Sequence, residues 1–295
     1  GDLHLNNIVV IDDKPVLFDA IEFNDSYVFI DPLYDIGFLV MDLERIGERA
    51  LAHALFNRYC ELRPDDEGLS LLPLYLSLRA AIRAHVAVSR SASGDSTALD
   101  EARRCFDLAR DFLAPPPPWL IAIGGFSGSG KSTLARSLAP GTGAAPGALV
   151  LRSDVIRKRL MGVAETERLP QSAYTDEVNA RVFAKLEDRA RRVLASGHSV
   201  IMDSVYGRPE ERARIQAVAL AAGATFCGFW LDAPHRTLSK RVTARRGDAS
   251  DATLEVLNLQ LQRITPPSDW RKLDADRPPE AVAALAKRFL STNRG

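Results

Sequence analysis

The sequence predicts an α/β protein. A doubly wound parallel sheet of about five strands forms its C-terminal part, and a mostly helical region precedes that sheet. Short apolar runs alternate with helical patterns after residue 118, and a Gly-rich loop joins the first run to a helix. Four consecutive prolines at positions 115–118 separate this part from the rest of the chain. Alternating strands and helices of this kind favour a parallel sheet with helices on both faces.

The candidate strands are short apolar segments, each followed by a helical pattern. In chain order they are WLIAIGG, ALVLRSD, SVIMD, FCGFWLD and WRKLD. One helix begins at Lys131 and a second runs through Arg159, and three more are predicted in RPEERARIQAVALAAG, HRTLSKRVTARR and PPEAVAALAKRFL. This alternation predicts one domain over residues 119–295.

Residues 1–113 have a different pattern. NIVVI and PVLFDAIEF are strand-like runs separated by the turn-forming DDK, and helical patterns cover residues 32–60, 69–89 and 97–113. The apolar segment LSLLPLYLSLRAAIRAHVAV contains a proline and two arginines, so we interpret it as a buried helix and expect no membrane contact. Residues 114–118 form the linker, because consecutive prolines favour an extended spacer that cannot continue a helix.

Composition excludes few function classes. The 38 basic and 38 acidic residues balance, so no overall field directs the chain toward nucleic acid or anionic lipid. Cys60, Cys105 and Cys227 are far apart, a spacing that fits neither a zinc site nor a disulfide framework. Free cysteines suit a reducing compartment, and we therefore expect a cytoplasmic protein without zinc. The sequence does not indicate an oligomeric state.

The Gly-rich loop is the most informative segment. It completes the pattern G-x-x-x-x-G-K-[ST] directly after an apolar strand and at the start of a helix, which is the context of a phosphate-binding P-loop. Its backbone amides and the helix N-terminus suit phosphate oxygens, Lys131 suits the β and γ phosphates, and Ser132 suits Mg²⁺. We predict that ATP contacts the loop residues Gly125, Phe126, Ser127, Gly128, Ser129, Gly130, Lys131, Ser132 and Thr133.

Two residues after the second strand point to phosphoryl transfer. Asp154 follows that strand and Arg157 lies three residues on, so both project to one side if a helix starts here. A carboxylate can accept the proton of a hydroxyl group, and a nearby arginine can hold the acceptor or the migrating phosphoryl group. The alternative is an N-cap aspartate with a surface arginine.

Further candidate residues follow the third and fourth strands. Asp203 ends the third strand and could orient Mg²⁺ or touch the acceptor, or it could cap a helix. Arg241, Arg245 and Arg246 are predicted to lie on a helix that ends near Gly247. They could close over the triphosphate as a lid, with Arg241 on the nucleotide, or form a solvated face.

Together these residues resemble the P-loop kinases of the polynucleotide 5′-kinase, zeta-toxin and gluconate-kinase type, over residues 119–290. The resemblance implies that Asp154 is the acceptor base, that Arg157 contacts the acceptor or the transition state, and that Arg245 belongs to the lid. A GTPase switch fits less well, because Tyr206 stands three residues after Asp203, where such switches have glycine.

The first residues resemble another kinase family. GDLHLNNIVVIDDKPVLFDAIEF is similar to the catalytic segment of aminoglycoside phosphotransferase-like kinases, which share the protein-kinase fold. The resemblance implies that Asp2 is a base and that Asn7 and Asp19 are metal ligands. It covers the C-terminal portion of that family alone. We therefore expect residues 1–113 to be a kinase C-lobe fragment with an inert, vestigial site, and the chain to be a fragment of a longer two-kinase protein.

The sequence thus favours an ATP- and Mg²⁺-dependent kinase that phosphorylates a hydroxyl group of a small molecule or a polynucleotide 5′ end. Two alternatives stay open. One is an ATP-binding regulatory module without acceptor kinase activity, and the other is an aminoglycoside-type phosphotransferase in the full-length protein. The acceptor is expected near ERLPQSAYTDEVNARVF, where Tyr174 either stacks on an acceptor ring or belongs to the core.

Overall fold

The computed structural model describes residues 1–21 and 29–292. The chain divides into two compact units. One unit contains Gly1–Pro116 together with Gly143–Gly147, and the other contains Pro117–Thr142 together with Ala148–Gly295.

The N-terminal unit begins with an antiparallel hairpin. Strands β1 (Ile8–Ile11) and β2 (Lys14–Leu17) pair so that Ile8 faces Leu17. Both residues of the connecting turn, Asp12 and Asp13, have positive φ angles, which is the conformation of the two-residue turn that matches the twist of a hairpin. Part of the strand-like run predicted after this turn, Glu22 and Phe23, lies outside the described residues.

The described residues of this unit also form four α-helices. They are α1 (Pro32–Arg45), α2 (Arg49–Leu62), α3 (Leu72–Ala92) and α4 (Ala98–Phe112). The single helix predicted over residues 32–60 is wrong, because the chain leaves the helical conformation after Arg45, and Gly47 takes a left-handed φ of 82°. A glycine in this conformation commonly ends a helix, since it lacks the Cβ that would clash.

Helix α3 has the composition of a possible membrane span. With the turn that precedes it, Gly68–Ala92 is long enough and apolar enough, with a mean hydropathy of 1.3, and 39% of that window is buried. A single helix of this kind is weak evidence for a membrane, because core helices pass the same test. Its buried residues include Leu72, Leu76 and Ala80, which pack in the core of the unit.

The C-terminal unit is built on a five-stranded, fully parallel sheet. Its strands are β3 (Trp119–Gly125), β4 (Leu149–Arg152), β5 (Val200–Asp203), β6 (Thr225–Asp232) and β7 (Arg271–Asp274), in the order β4-β5-β3-β6-β7. All five match the segments expected from the sequence. The predicted fold class, an α/β protein with a doubly wound parallel sheet behind a helical region, is confirmed.

Within residues 117–292, seven α-helices surround this sheet. They are α5 (Lys131–Leu138), α6 (Ser153–Leu160), α7 (Asp176–Ala195), α8 (Pro209–Ala221), α9 (His235–Ala244), α10 (Leu254–Arg263) and α11 (Pro279–Thr292). Ile121 and Phe229 of the central strands pack against Leu134 of α5 and Ala286 of α11 in one buried cluster. Because the strands are parallel, their carboxyl ends meet at one edge, where open α/β sheets place their ligands.

Candidate active site

The loop between β3 and α5 has the backbone conformation of a phosphate cradle. Gly130 is the N-cap of α5 with a left-handed φ of 96°, so the first amides of the helix are directed out of its N-terminal end. At Gly128, where φ is 81°, a Cβ would lie 2.7 Å from the carbonyl oxygen of Leu238. A side chain would therefore collide with α9 as well as strain the loop. These two positions require glycine for the loop to form.

Lys131 lies over this loop. Its Nζ donates to the carbonyl oxygens of Gly125 and Phe126, each at 3.0 Å. Burial lowers the pKa of this ammonium, and Asp203 and Asp154 oppose the shift. The Oγ of Ser129 is buried and has no hydrogen-bond partner among the described residues. The loop thus offers an ammonium group that suits a phosphate ligand.

Ser132 and Asp203 form the second part of the site. The Ser132 hydroxyl donates to Asp203 Oδ2 at 2.5 Å, and Arg152 Nε lies 3.4 Å from the same carboxylate oxygen. Asp203 ends β5, and no helix begins until Pro209, so it is not a helix cap. A hydroxyl and a carboxylate oxygen side by side at a P-loop are hard ligands of the kind that Mg²⁺ prefers. The residues therefore fit a magnesium ion at the phosphates.

Asp154 lies in the same cleft, which has a volume of about 820 Å³. It is the second residue of α6 and not its N-cap, which is Arg152. Burial raises the pKa of this carboxyl, and the nearby Asp203 raises it further. The charges of Lys131 and Arg152 oppose these shifts, and a hydrogen bond from Ser250 does so to a smaller extent. A carboxyl with a raised pKa is a better proton acceptor when it is ionised, which suits a general base.

Arg157 and Tyr174 lie beside Asp154. The Arg157 guanidinium is buried, donates to the carbonyl of Ala173 at 2.8 Å and lies 4.8 Å above the Tyr174 ring. The Tyr174 side chain is partly exposed, and its hydroxyl donates to Asp251 at 2.7 Å. The core interpretation of Tyr174 is therefore wrong, and its ring already stacks on an arginine of this protein.

The arginines of the expected lid are divided between a helix and a loop. Arg241 lies on α9 and donates to the carbonyl of Ala275 at 2.9 Å. Helix α9 ends at Ala244, so the prediction of one helix carrying all three arginines is wrong: Arg245 is its C-cap, in an extended conformation, and Arg246 follows in the loop. Both loop arginines nevertheless line the cleft together with Arg241.

Several cleft residues were missed by the sequence analysis. Gln260 of α10 accepts a hydrogen bond from the Ser127 amide of the phosphate loop at 2.9 Å, across 133 positions of sequence. Arg152 Nη2 lies 2.6 Å from Asp248 Oδ1. The acidic segment GDASDA, which directly follows the arginines, was the sequence signal that could have indicated the contact of Asp248 with Arg152. No sequence pattern pointed to Gln260, because α10 itself was not predicted.

The structure brings most of the predicted site residues to one cleft. Its lining includes Ser127, Gly128, Gly130, Lys131, Ser132, Thr133, Asp154, Arg157, Asp203, Arg241 and Arg245. The three other loop residues lie behind this surface: Gly125 packs against Leu231, Phe126 against the Trp230 ring at 5.5 Å, and Ser129 is buried.

The N-terminal unit also brings its three predicted site residues together. Asn7 Nδ2 donates to the backbone carbonyl of Asp2 at 3.0 Å, to Asp2 Oδ2 at 3.3 Å and to the backbone carbonyl of Asp19 at 3.3 Å. Asp42 of α1 is fully buried and accepts from the Leu5 amide at 3.1 Å, which fixes this loop to the helices. The amide of Asn7 thus acts as a bridge between the two aspartate-bearing segments.

Residues 120–267 match the family described as AAA domain. The chain belongs to this family. The matched segment begins inside β3 and ends after α10, so the AAA domain contains the phosphate loop, Asp154, Asp203 and Gln260.

Two curated relatives extend over nearly the whole chain. Uncharacterized proteins of Mycobacterium tuberculosis and Mycobacterium bovis are each 33% identical to it over 293 residues, which is 97% of this chain and 57% of the relative. The chain therefore spans little more than half the length of the curated relatives it matches.

Several solved structures are similar to part of this chain. A sugar kinase from Janibacter sp. is 23% identical to this chain, with a TM-score of 0.46. The similarity covers 59% of this chain and 95% of the sugar kinase. The APS kinase of Mycobacterium tuberculosis is 20% identical to this chain, with a TM-score of 0.44. The similarity covers 60% of this chain and 99% of the APS kinase. A gluconokinase from Sinorhizobium meliloti is 21% identical to this chain, with a TM-score of 0.41. The similarity covers 60% of this chain and 98% of the gluconokinase.

Proposed function

We propose that the AAA domain is an ATP-dependent phosphotransferase that moves the γ-phosphoryl group to a hydroxyl group of a small molecule or a polynucleotide 5′ end. The observation that carries this proposal is the placement of a perturbed carboxyl, Asp154, in the same cleft as the phosphate-loop Lys131. A motor or a nucleotide sensor has no use for a base at this position, whereas transfer to an alcohol does.

In the proposed reaction Asp154 accepts the proton of the acceptor hydroxyl. The acceptor oxygen forms a bond to the γ-phosphorus while the bond from that phosphorus to the β,γ-bridging oxygen breaks, and ADP leaves with the bonding electron pair. Lys131, Arg241 and Arg245 face the phosphates and stabilise the charge that spreads over them. Ser132 and Asp203 would hold Mg²⁺, which would offset charge on the phosphate oxygens.

The test is a transfer assay with labelled ATP and a panel of sugars, nucleosides, antibiotics and 5′-hydroxyl oligonucleotides. Asp154→Asn should lower transfer about 10²- to 10⁴-fold with little change in ATP binding, because it removes the base and keeps the shape. Lys131→Ala should abolish transfer, and Asp188→Asn, which changes a half-buried carboxylate on α7 outside the cleft, is the matched control. Slow ATP hydrolysis that no acceptor stimulates, together with unchanged turnover in Asp154→Asn, would leave a regulatory nucleotide-binding module instead.

For the N-terminal unit we propose a vestigial kinase-like site, supported by the contacts of Asn7 with Asp2 and Asp19. Transfer that persists in Lys131→Ala and is lost in Asp2→Ala would assign activity to this unit and favour the aminoglycoside-type alternative. We also propose a cytoplasmic location, because Cys60, Cys105 and Cys227 are buried and form no disulfide among the described residues.

A further inference from the structure

One face of helix α10 lines the cleft. The residues on this face are Val256, Leu259, Gln260, Arg263 and, at the C-cap, Ile264. Steps of three and four positions place such residues on one side of a helix. Asn258 lies outside the cleft, where its Oδ1 is 3.0 Å from Nε2 of His235 on α9. Helix α10 is thus joined to α9 through one amide side chain and presents the other, that of Gln260, to the cleft.

Helix α10 contacts both the phosphate loop and the loop that follows Asp203. The Ser127 amide donates to Gln260 Oε1 at 2.9 Å. Ile264 packs so closely on Gly207 that a Cβ there would lie 2.7 Å from Ile264 Cδ1. Gln260 and Ile264 are four positions apart, which is about 6 Å along a helix. Gln260 therefore lies between the phosphate loop and the proposed magnesium site, where the terminal phosphate of ATP is expected.

The hydrogen bond from Ser127 determines which way the Gln260 amide group is turned. A backbone N–H only donates, so the side-chain atom that it meets is the carbonyl oxygen. The other atom, Nε2, carries two N–H donors, and neither has a hydrogen-bond partner among the described residues. Gln260 is half-buried and lines the cleft. Its two donors are therefore available to a ligand in the cleft, and phosphoryl oxygens are suitable acceptors.

We infer that Gln260 is a catalytic residue whose Nε2 donates a hydrogen bond to the γ-phosphoryl group during its transfer. This inference rests on the proposed function. The phosphate loop itself holds the Gln260 side chain, so the donor is oriented before the nucleotide binds, and such preorganised donors stabilise a transition state most effectively. A further cation would also bind the phosphates of ADP tightly, whereas a neutral donor at the γ position acts on the group that moves.

The test uses metal fluorides, which take the place of the γ-phosphoryl group and need no known acceptor. Aluminium fluoride with ADP and Mg²⁺ imitates the group in transfer, and beryllium fluoride imitates the bound γ-phosphate. Fluorescence titration measures the affinity of the full chain for a labelled ADP, alone and with each fluoride. Gln260→Met keeps the length of the side chain and removes both donors. We expect it to reduce the gain in affinity from aluminium fluoride by at least about tenfold, which is the value of one hydrogen bond to a charged group.

The same variant should change the affinity for ADP alone, and the gain from beryllium fluoride, by less than about threefold. Gln262→Met makes the same change at an exposed residue outside the cleft, and it should behave like the unmodified protein throughout. Thermal denaturation checks that both variants are folded.

Four results overturn the inference. The first is an equal gain from aluminium fluoride in Gln260→Met and the unmodified protein, and the second is the absence of any such gain in the unmodified protein. The third is an equal loss with both fluorides, which would make Gln260 a ligand of bound ATP and not a catalytic residue. The fourth is tighter binding of ADP to Gln260→Met, which would mean that the side chain only occupies the empty phosphate loop.

A transfer assay separates this inference from the proposed function. Phosphorylation of an acceptor that requires Asp154 and proceeds at an unchanged rate in Gln260→Met supports the kinase and refutes the catalytic role of Gln260. Loss of the aluminium fluoride effect and slower ATP hydrolysis in Gln260→Met, without phosphorylation of any acceptor, supports the role of Gln260 at the γ-phosphoryl group and refutes the kinase.

Discussion

The Lys158 ammonium lies 2.7 Å from Asp251 Oδ2 and joins helix α6 to the loop between α9 and α10. Lys158 is 1% exposed, and it also donates to the carbonyl of Glu167. Asp251 in turn accepts from the Leu169 amide and the Tyr174 hydroxyl. One buried ion pair thus holds together the helix of the proposed base, the segment before α7 and the loop that carries the lid arginines.

Removing the cation of this pair should destabilise the AAA domain. We expect Lys158→Met to lower the free energy of unfolding by about 3 kcal/mol, because it leaves a poorly hydrated carboxylate without its cation. Urea denaturation at neutral pH measures the change. Lys185→Met is the control, since Lys185 is 53% exposed and lies 3.8 Å from Asp188, and it should cost less than about 1 kcal/mol. Equal losses in the two variants would contradict a structural role for the buried pair.

Asp203 should set the magnesium requirement. Asp203→Asn keeps an oxygen that can accept from Ser132 but removes the negative charge, so we expect a loss of at least about 10²-fold in transfer and a higher Mg²⁺ concentration at half-maximal rate. Asp232 ends the neighbouring strand β6, pairs with Lys272 at 2.9 Å and is outside the cleft. A magnesium titration of Asp232→Asn should match that of the unmodified protein, and a shift there would show that the effect is not specific.

The pH dependence of transfer should follow Asp154. Its pKa is raised above the ordinary 3.8 by burial and by Asp203, and the base is active when ionised. Therefore kcat/KM should fall as the pH drops through this raised value, and not at the lower pH of an exposed aspartate. Ser250→Ala removes a hydrogen bond that favours the ionised form, so its acidic limb should move to still higher pH. The exposed Ser291→Ala is the control, and an acidic limb that stays in place in Ser250→Ala refutes the assignment.

Gln260 should affect ATP binding through charge. Gln260→Glu places a carboxylate next to the Ser127 amide, where it repels the phosphates, so we expect the affinity for ATP to fall by at least about tenfold. Gln262→Glu adds the same charge two positions on, at an exposed residue outside the cleft, and should change the affinity far less. Fluorescence titration with a labelled nucleotide measures both. Similar affinities in the two variants would exclude a place for Gln260 near the phosphates.

The sequence predicted those parts of the structure that local patterns determine. The strand before Gly125, the helix that begins at Lys131 and the strand-end position of Asp203 depend on neighbouring residues, and all three were found where they were expected. The contacts of Lys158 with Asp251 and of Gln260 with Ser127 join residues that are 93 and 133 positions apart in the sequence. A local sequence pattern does not predict contacts between residues so far apart. The sequence analysis also placed Arg245 on a helix, whereas the helix ends at Ala244. Consecutive arginines occur both in the last turn of a helix and in the loop after it, so the sequence does not show where the helix ends.

The order of the strands has a consequence for which parts of the cleft can change by mutation. Nucleotide-binding groups are supplied by the ends of the central strands β3 and β5, whose side chains pack in the interior, and changes there would disturb the whole sheet. Two connections at the periphery also line the cleft, residues 161–175 through Tyr174 and residues 245–253 through Ser250 and Asp251. Mutations can change the shape of these connections without altering the sheet and the phosphate loop. Closely similar chains could therefore handle unlike alcohols, and a shared phosphate loop should not be taken as evidence of a shared metabolite.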